Sequence, residues 1–234
     1  MLLIAHRGAS GYAPENTLAA FRLALDLGAR AVELDIHQTR DGELVVIHDD
    51  DLKRVGRLKA RIAELSAGEL AAVDVGSWFS PRFASERAPT LSQAMDLVAG
   101  RAELHVELKH GSRRYPGIER RLVELIERRA AWKETLISSF DHPALFAVRA
   151  LDKRARIGYL LGLTGMRKAY REMRALGAES LNLSLRQAGA DLARKLHARG
   201  LKGLVYTVNT REQLSRVASR GYDGAFTNFP DLKP

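Results

Sequence analysis

Val32-Glu33-Leu34-Asp35-Ile36-His37-Gln38-Thr39-Arg40-Asp41-Gly42-Glu43-Leu44-Val45-Val46-Ile47-His48 holds two extended, largely aliphatic runs with Asp41-Gly42 between them. Asp-Gly suits a two-residue type I′ hairpin turn, because both central positions need positive φ and glycine takes it at no steric cost. A parallel crossover requires a dozen or more residues. The second arm, residues 43–48, is therefore predicted to run antiparallel to the first.

Outward from this hairpin, short apolar runs recur at residues 2–5, 31–36, 44–47, 104–108, 135–138, 156–160, 180–183, 203–207 and 224–227. Helical patterns separate most of them, near residues 17–27, 91–98, 118–129, 143–151, 166–176, 190–199 and 211–219. In the first of these, Leu18, Phe21 and Leu25 share a face, with Asn16 as the expected N-cap and Gly28 just past the end. Strand–helix alternation argues for a parallel sheet. Setting aside the antiparallel arm leaves eight parallel strands, which predicts an α/β fold, a (β/α)8 TIM barrel, in 234 residues. An open doubly wound sheet is the alternative, but no G-x-G-x-x-G fingerprint supports it. Residues 1–234 read as a single barrel domain, with residues 49–89 as a small insertion after the second-strand hairpin, over the barrel mouth.

Alternation along the strands carries the chemistry. Glu33 and Asp35 share one face of their strand, as do His105, Glu107 and Lys109 of theirs, and the intervening aliphatics share the other. Same-face neighbours lie roughly 6.5 Å apart. Helices cover a barrel's outer face, so the aliphatics belong outside and the carboxylates point inward, where unpaired charge is costly. Three converging acids repel one another unless a cation or protons intervene. One hard divalent ion with oxygen ligands, Mg²⁺ or Ca²⁺, held by Glu33, Asp35 and Glu107, satisfies the arrangement. Interior salt bridges, for example Glu107 with Lys109, are the structural alternative. With no cysteine in the chain, neither a disulfide nor a thiolate ligand is available.

With the two-residue turn, Arg40 pairs with Glu43 and Asp35 comes opposite His48. His6, ending the first strand, is expected at the same mouth. Two imidazoles beside a metal-bound phosphate suit general acid and general base work near neutral pH, either one in either role. Of the other five histidines, His105 is expected to pack one step deeper, and His37 shares the parity of Glu33 and Asp35. Arg7 and Lys109 are suited to phosphate oxygens, as a fork and a point charge respectively, or to balancing the acids.

The 37 Lys and Arg against 28 Asp and Glu give a formal charge of +9. A positive field favours anionic ligands, but the basic residues fall along amphipathic helices and no aromatics alternate with them as a single-strand platform needs. No apolar run approaches the ~20 residues of a membrane span. The opening Met1-Leu2-Leu3-Ile4-Ala5 meets His6-Arg7 at once and is too short for a signal h-region. The expectation is a cytoplasmic protein with no nucleic-acid partner and no stable membrane association.

His6-Arg7-Gly8, Pro14-Glu15-Asn16-Thr17, Glu33-Leu34-Asp35, Val45-Val46-Ile47-His48-Asp49, Glu107-Leu108-Lys109, Thr207-Val208-Asn209 and Asp223-Gly224-Ala225-Phe226-Thr227-Asn228-Phe229-Pro230 follow in an order and spacing that resemble the glycerophosphodiester phosphodiesterases across essentially the whole chain. The resemblance implies a metal-dependent barrel hydrolase that cleaves small-molecule glycerophosphodiesters to an alcohol and sn-glycerol 3-phosphate. It implies Glu33, Asp35 and Glu107 on the divalent ion, His6 and His48 as the acid/base pair, and Arg7 and Lys109 on the phosphate. Glu15 would orient the His6 loop or meet the glycerol side. The family also suggests attack by the substrate's own hydroxyl through a cyclic phosphate. Asn228 stands where many members carry Asp, and Tyr206 where tryptophan is common. Trp78, Phe79 and Phe83 would line a substrate wall or form the insertion's own core. Rival readings are a lysophospholipase D-like phosphodiesterase and a non-catalytic phosphate- or nucleic-acid-binding protein.

Overall fold

A computed structural model describes residues 1–233. Nine strands form, β1 (Leu2–His6), β2 (Ala31–Gln38), β3 (Leu44–Val46), β4 (Glu103–Leu108), β5 (Thr135–Ser139), β6 (Arg156–Leu160), β7 (Ser180–Ser184), β8 (Lys202–Tyr206) and β9 (Gly224–Thr227). The helices are α1 (Leu18–Asp26), α2 (Ala67–Ala71), α3 (Leu91–Val98), α4 (Ile118–Arg128), α5 (His142–Leu151), α6 (Met166–Leu176), α7 (Leu192–His197) and α8 (Arg211–Ser219). The strands pair in the order β1-β9-β8-β7-β6-β5-β4-β2, and a further β1–β2 pairing closes them into an eight-stranded parallel barrel. β3 lies outside the closure, antiparallel to β2. The fold is the expected (β/α)8 TIM barrel.

Alternation is what makes the barrel close around charged groups. On β2 and β4, Leu34, Ile36, Val106 and Leu108 are fully buried and belong to the main apolar core with α1, α3 and α4. Each such side chain contributes about 1.5–3 kcal/mol of transfer free energy. The intervening Glu33, Asp35 and Glu107 are buried as well, a cost the fold carries at one end of the strands.

Two local expectations are corrected. The hairpin register is Ile36 with Val46, His37 with Val45 and Gln38 with Leu44. Thr39 N donates to Glu43 O at 3.0 Å, so the loop is the three residues Arg40-Asp41-Gly42, with Gly42 at φ +91°. The Thr39 hydroxyl drives this choice: it donates to Asp41 Oδ1 at 2.6 Å and accepts from Glu43 N at 2.9 Å. Asp35 therefore faces Ile47, whose N donates to Asp35 O at 3.0 Å, and His48 lies beyond the paired residues. The α1 cap is Thr17, whose side chain accepts from Ala20 N, and Asn16 is left for another task.

Residues 49–89 carry α2 and two short 3₁₀ turns, Ile62–Glu64 and Pro81–Phe83. Leu52, Val55, Ile62, Leu70, Val75 and Ala88 pack with Val45 and Ile47 in a separate apolar cluster, with Trp78 against it. Trp78 stacks edge-on with Phe79 and Phe79 with Phe83, each at 5.8 Å. Among the described residues, no helix is long and apolar enough to cross a membrane.

Candidate active site

Strand register sets the site. His6 of β1 lies beside Glu33 of β2, and Asp35 lies beside Glu107 of β4. His6 ends β1 and Glu107 is next to last in β4, where barrel loops converge, and the pairing brings Glu33 and Asp35 of the longer β2 to the same level. Glu33, Asp35 and Glu107 each bring one carboxylate oxygen within 4.8 Å of the others. His6, Arg7, Glu33, His48, Glu107 and Lys109 line one cavity of about 150 Å³. A larger hollow of about 270 Å³ opens at the opposite end, at the starts of β4 and β5, and holds none of these groups.

Two cations brace the acids. Arg7 Nε is 3.3 Å from Asp35 Oδ2, and Lys109 Nζ is 3.3 Å from Asp35 Oδ1 and 2.7 Å from Glu107 Oε1. Lys109 Nζ thus engages one oxygen each of Asp35 and Glu107 as a close charge pair, and Arg7 Nε meets Asp35 from the other side. Burial alone would raise Asp35, but Lys109 and Arg7 hold it down to about 2. Burial and the neighbouring carboxylates push Glu33 well above its ordinary value and Glu107 up to about 7. An all-oxygen donor set of three gathered carboxyls, two of them pushed toward the protonated form by burial and mutual repulsion, fits a hard divalent ion.

The two imidazoles are held differently. His6 Nδ1 bonds Asn228 Oδ1 at 2.8 Å, and His48 Nδ1 bonds Asp49 Oδ1 at 2.6 Å. Each bond places the proton on Nδ1 and leaves Nε2 without a partner among the described residues. Burial, then the Arg7 charge, lowers His6 to about 4. Burial also lowers His48, with Asp35 and Asp49 opposing.

Further residues, assigned no such task from sequence, support these. Asn16, in the left-handed region at φ +57°, donates from Nδ2 to Asp35 Oδ2 at 2.8 Å. Arg7 N donates to Glu33 Oε2 at 3.0 Å. His37 bonds the Tyr115 hydroxyl at 2.7 Å and the His48 carbonyl at 3.0 Å, fixing the backbone that carries His48. Asn16 and Asn228 both stood within the quoted motifs, which was the available signal. Glu15 is gripped by Arg7 at 2.9 Å and by Arg54 at 2.8 and 3.0 Å. Trp78, Phe79 and Phe83 are absent from the cavity wall, where the aromatics are Phe140, Tyr206 and Phe226. His105 packs below, against Phe226.

A sequence profile of the glycerophosphoryl diester phosphodiesterase family matches residues 6–232. The glycerophosphodiester phosphodiesterase of Caldanaerobacter subterraneus subsp. tengcongensis is 35% identical over 231 residues, covering 98% of this chain and 95% of the relative. That of Bacillus altitudinis is 33% identical over 233 residues, covering 98% and 95%. Among solved structures, an Oleispira antarctica phosphodiesterase in complex with its product sn-glycerol-3-phosphate superposes with a TM-score of 0.91 at 29% identity, covering 99% of this chain and 94% of that one. The glycerophosphodiester phosphodiesterase of Agrobacterium tumefaciens gives 0.87 at 26% identity, covering 99% and 98%. With three acids, two imidazoles and two cations around one barrel mouth, the chain belongs to the glycerophosphoryl diester phosphodiesterase family and is an enzyme of the phosphodiesterase class.

Proposed function

We propose that this enzyme hydrolyses glycerophosphodiesters to an alcohol and sn-glycerol 3-phosphate, with one divalent ion, Mg²⁺ or Ca²⁺, held by Glu33, Asp35 and Glu107. The observation that carries the reading is the cavity lined by Glu33, Glu107, Arg7, Lys109, His6 and His48, with Asp35 gathered against the other two acids. The product bound by the Oleispira relative supports it. When bound, the ion neutralises charge on phosphoryl oxygens.

Arg7 and Lys109 receive the phosphate, and their contacts with Asp35 and Glu107 hold them over the cavity. Asp49 offers a carboxylate to a positive His48, whereas Asn228 offers His6 no charge. His48 is accordingly the group that carries a proton to the departing alkoxide from Nε2, and His6 the group that takes one from the attacking hydroxyl. Glu15, with both oxygens engaged by arginines, positions Arg7.

The test is to incubate the purified protein with glycerophosphocholine or glycerophosphoethanolamine, with Mg²⁺, with Ca²⁺ and with chelator, and to measure released sn-glycerol 3-phosphate. Metal-dependent release is expected. No release with either ion overturns the proposal.

A further inference from the structure

The cavity floor contains a polar group that the chemistry above does not use. β5, β6 and β7 turn Ser138, Gly158, Ser180 and Asn182 to the barrel interior, with Gly158 paired to Ser180 and Leu160 to Asn182. Asn182 is fully buried and lines the same cavity as His6, Glu33 and Glu107. Its Oδ1 accepts a hydrogen bond from Ser180 Oγ at 2.8 Å, which fixes the plane of the amide. Its Nδ2 has no hydrogen-bond partner among the described residues. Buried amides are almost always satisfied, and a donor left open at the wall of a binding cavity is satisfied by what enters the cavity.

Gly158 leaves the amide uncrowded. A Cβ there would lie 3.1 Å from Asn182 Nδ2, 3.1 Å from Ser180 Oγ and 2.8 Å from Leu136 Cδ2. Even a methyl group at this position would crowd the amide.

The surroundings specify the acceptor. The cations, Arg7 and Lys109, stand on the β1 and β4 side of the cavity, among the acids. Asn182 comes from β7, across the barrel from them, and is paired with Leu160 in a wall that also includes the uncharged Tyr206 and Phe226. A neutral oxygen on a short carbon chain matches a neutral N–H donor in an apolar wall. From this geometry we infer that Asn182 Nδ2 is a subsite for a hydroxyl of the polyol half of the substrate, and so discriminates glycerol phosphate esters from esters lacking that hydroxyl. The inference rests on the glycerophosphodiesterase reading and deepens it. A site built to hydrogen-bond a substrate hydroxyl rejects the analogue without one, because its own polar group then stays unpaired.

Calorimetric binding of sn-glycerol 3-phosphate and of propyl phosphate, in buffer with Mg²⁺ and separately with Ca²⁺, tests it. The wild-type protein should prefer sn-glycerol 3-phosphate by about tenfold or more, and Asn182→Leu should abolish that preference while binding propyl phosphate as before. Gly158→Ala, whose Cβ presses on Asn182 Nδ2 and on the Ser180 hydroxyl that orients it, should weaken the same preference and serves if Asn182→Leu does not fold. Equal losses for both ligands in the folded variants, or a retained preference, overturn the subsite. Failure of the wild-type protein to cleave glycerophosphocholine would instead strike the underlying reading. A wild type that cleaves but shows no preference strikes the subsite alone.

Discussion

His6 and Asn228, 222 positions apart in sequence, share a 2.8 Å hydrogen bond between Nδ1 and Oδ1. β1 and β9 are neighbours in the barrel, which brings the chain's first histidine against its closing segment. Asn228 is itself anchored, its N donating to Asn209 Oδ1 at 2.9 Å. Two motif segments that looked independent in the sequence thus form one support for a single imidazole. The support is neutral: it fixes the tautomer, and its pull toward the charged ring is weaker than the opposing effects of burial and Arg7.

Asn228→Asp tests that statement. A carboxylate at this distance favours imidazolium, so the His6 pKa should rise from about 4 by roughly 1–3 units. Since His6 is read as the group that must start neutral, the acidic limb of the pH–rate profile should move upward with it. NMR titration of the imidazole alongside the rate profile reads both. A limb that stays in place while the imidazole shifts removes His6 from that role.

Loss of either imidazole should be felt in turnover and not in folding. His6→Ala and His48→Ala are each expected to lower kcat by about 10²–10⁴-fold. Circular dichroism should remain that of the wild type, because both rings are partly exposed and bonded at one nitrogen. Near-normal turnover in either variant takes that residue out of the mechanism.

The barrel was legible because its two periodicities are physical necessities. Aliphatics on one strand face and acids on the other leave only one way to bury β2 and β4, and Asp-Gly marked where the parallel pattern breaks. What escaped was chemistry between side chains distant in sequence or dependent on a hydroxyl's choice of partner. Thr39 turned the two-residue loop into three residues, so His48 reaches the mouth beyond the last paired residues and not from a place opposite Asp35. Asn16 had the chemistry of a helix cap, but Thr17 is a cap too, and only the tertiary position of Asp35 decides which does what. His37 had the parity of the acids, yet it ends against Tyr115 and the His48 carbonyl. No single-strand pattern encodes those partners.

Glu107 gives the metal-free protein a distinctive pH dependence. Its folded pKa, raised by burial and by Asp35 to about 7, exceeds the unfolded value of about 4.3. The native state therefore holds a proton that the unfolded chain has released. Stability contributed by this group is full below about pH 4 and declines as pH rises toward 7. Asp35, held low, acts in the opposite sense and only below about pH 4. Thermal midpoints of the chelator-treated protein should thus fall between pH 5 and 7 more steeply than those of Glu107→Gln, which has no proton to lose. Equal slopes would show that Glu107 is already ionised without metal. The same variant should weaken Mg²⁺ or Ca²⁺ binding on the order of tenfold or more, since a charged ligand is gone. Unchanged affinity by calorimetry would sink its assignment as a ligand.

Arg54, in the segment of residues 49–89, joins the two carboxylates that hold Arg7 and His48. Its guanidinium gives two hydrogen bonds to Glu15, at 2.8 and 3.0 Å, and one to Asp49 at 2.7 Å. Glu15 in turn holds Arg7, and Asp49 holds His48. Trp78 supplies a ring face to the same guanidinium, 5.7 Å from its centroid. The side chain is 40% exposed, so its ion pairs are screened by water and their removal should cost no more than about 1 kcal/mol. Geometry suffers more than stability. Without Arg54, Glu15 and Asp49 each lose the group that orients them, and a misplaced Arg7 or His48 costs turnover steeply. Arg54→Ala should therefore lower kcat about tenfold or more while moving the thermal midpoint by only a few degrees. Arg54→Lys should recover little, because an ammonium cannot span two carboxylates as the planar fork does. Full activity in Arg54→Ala would mean that Arg7 and His48 are placed by the barrel alone, through Glu33, Asp35 and His37. In that case residues 49–89 would contribute nothing to the chemistry through this contact.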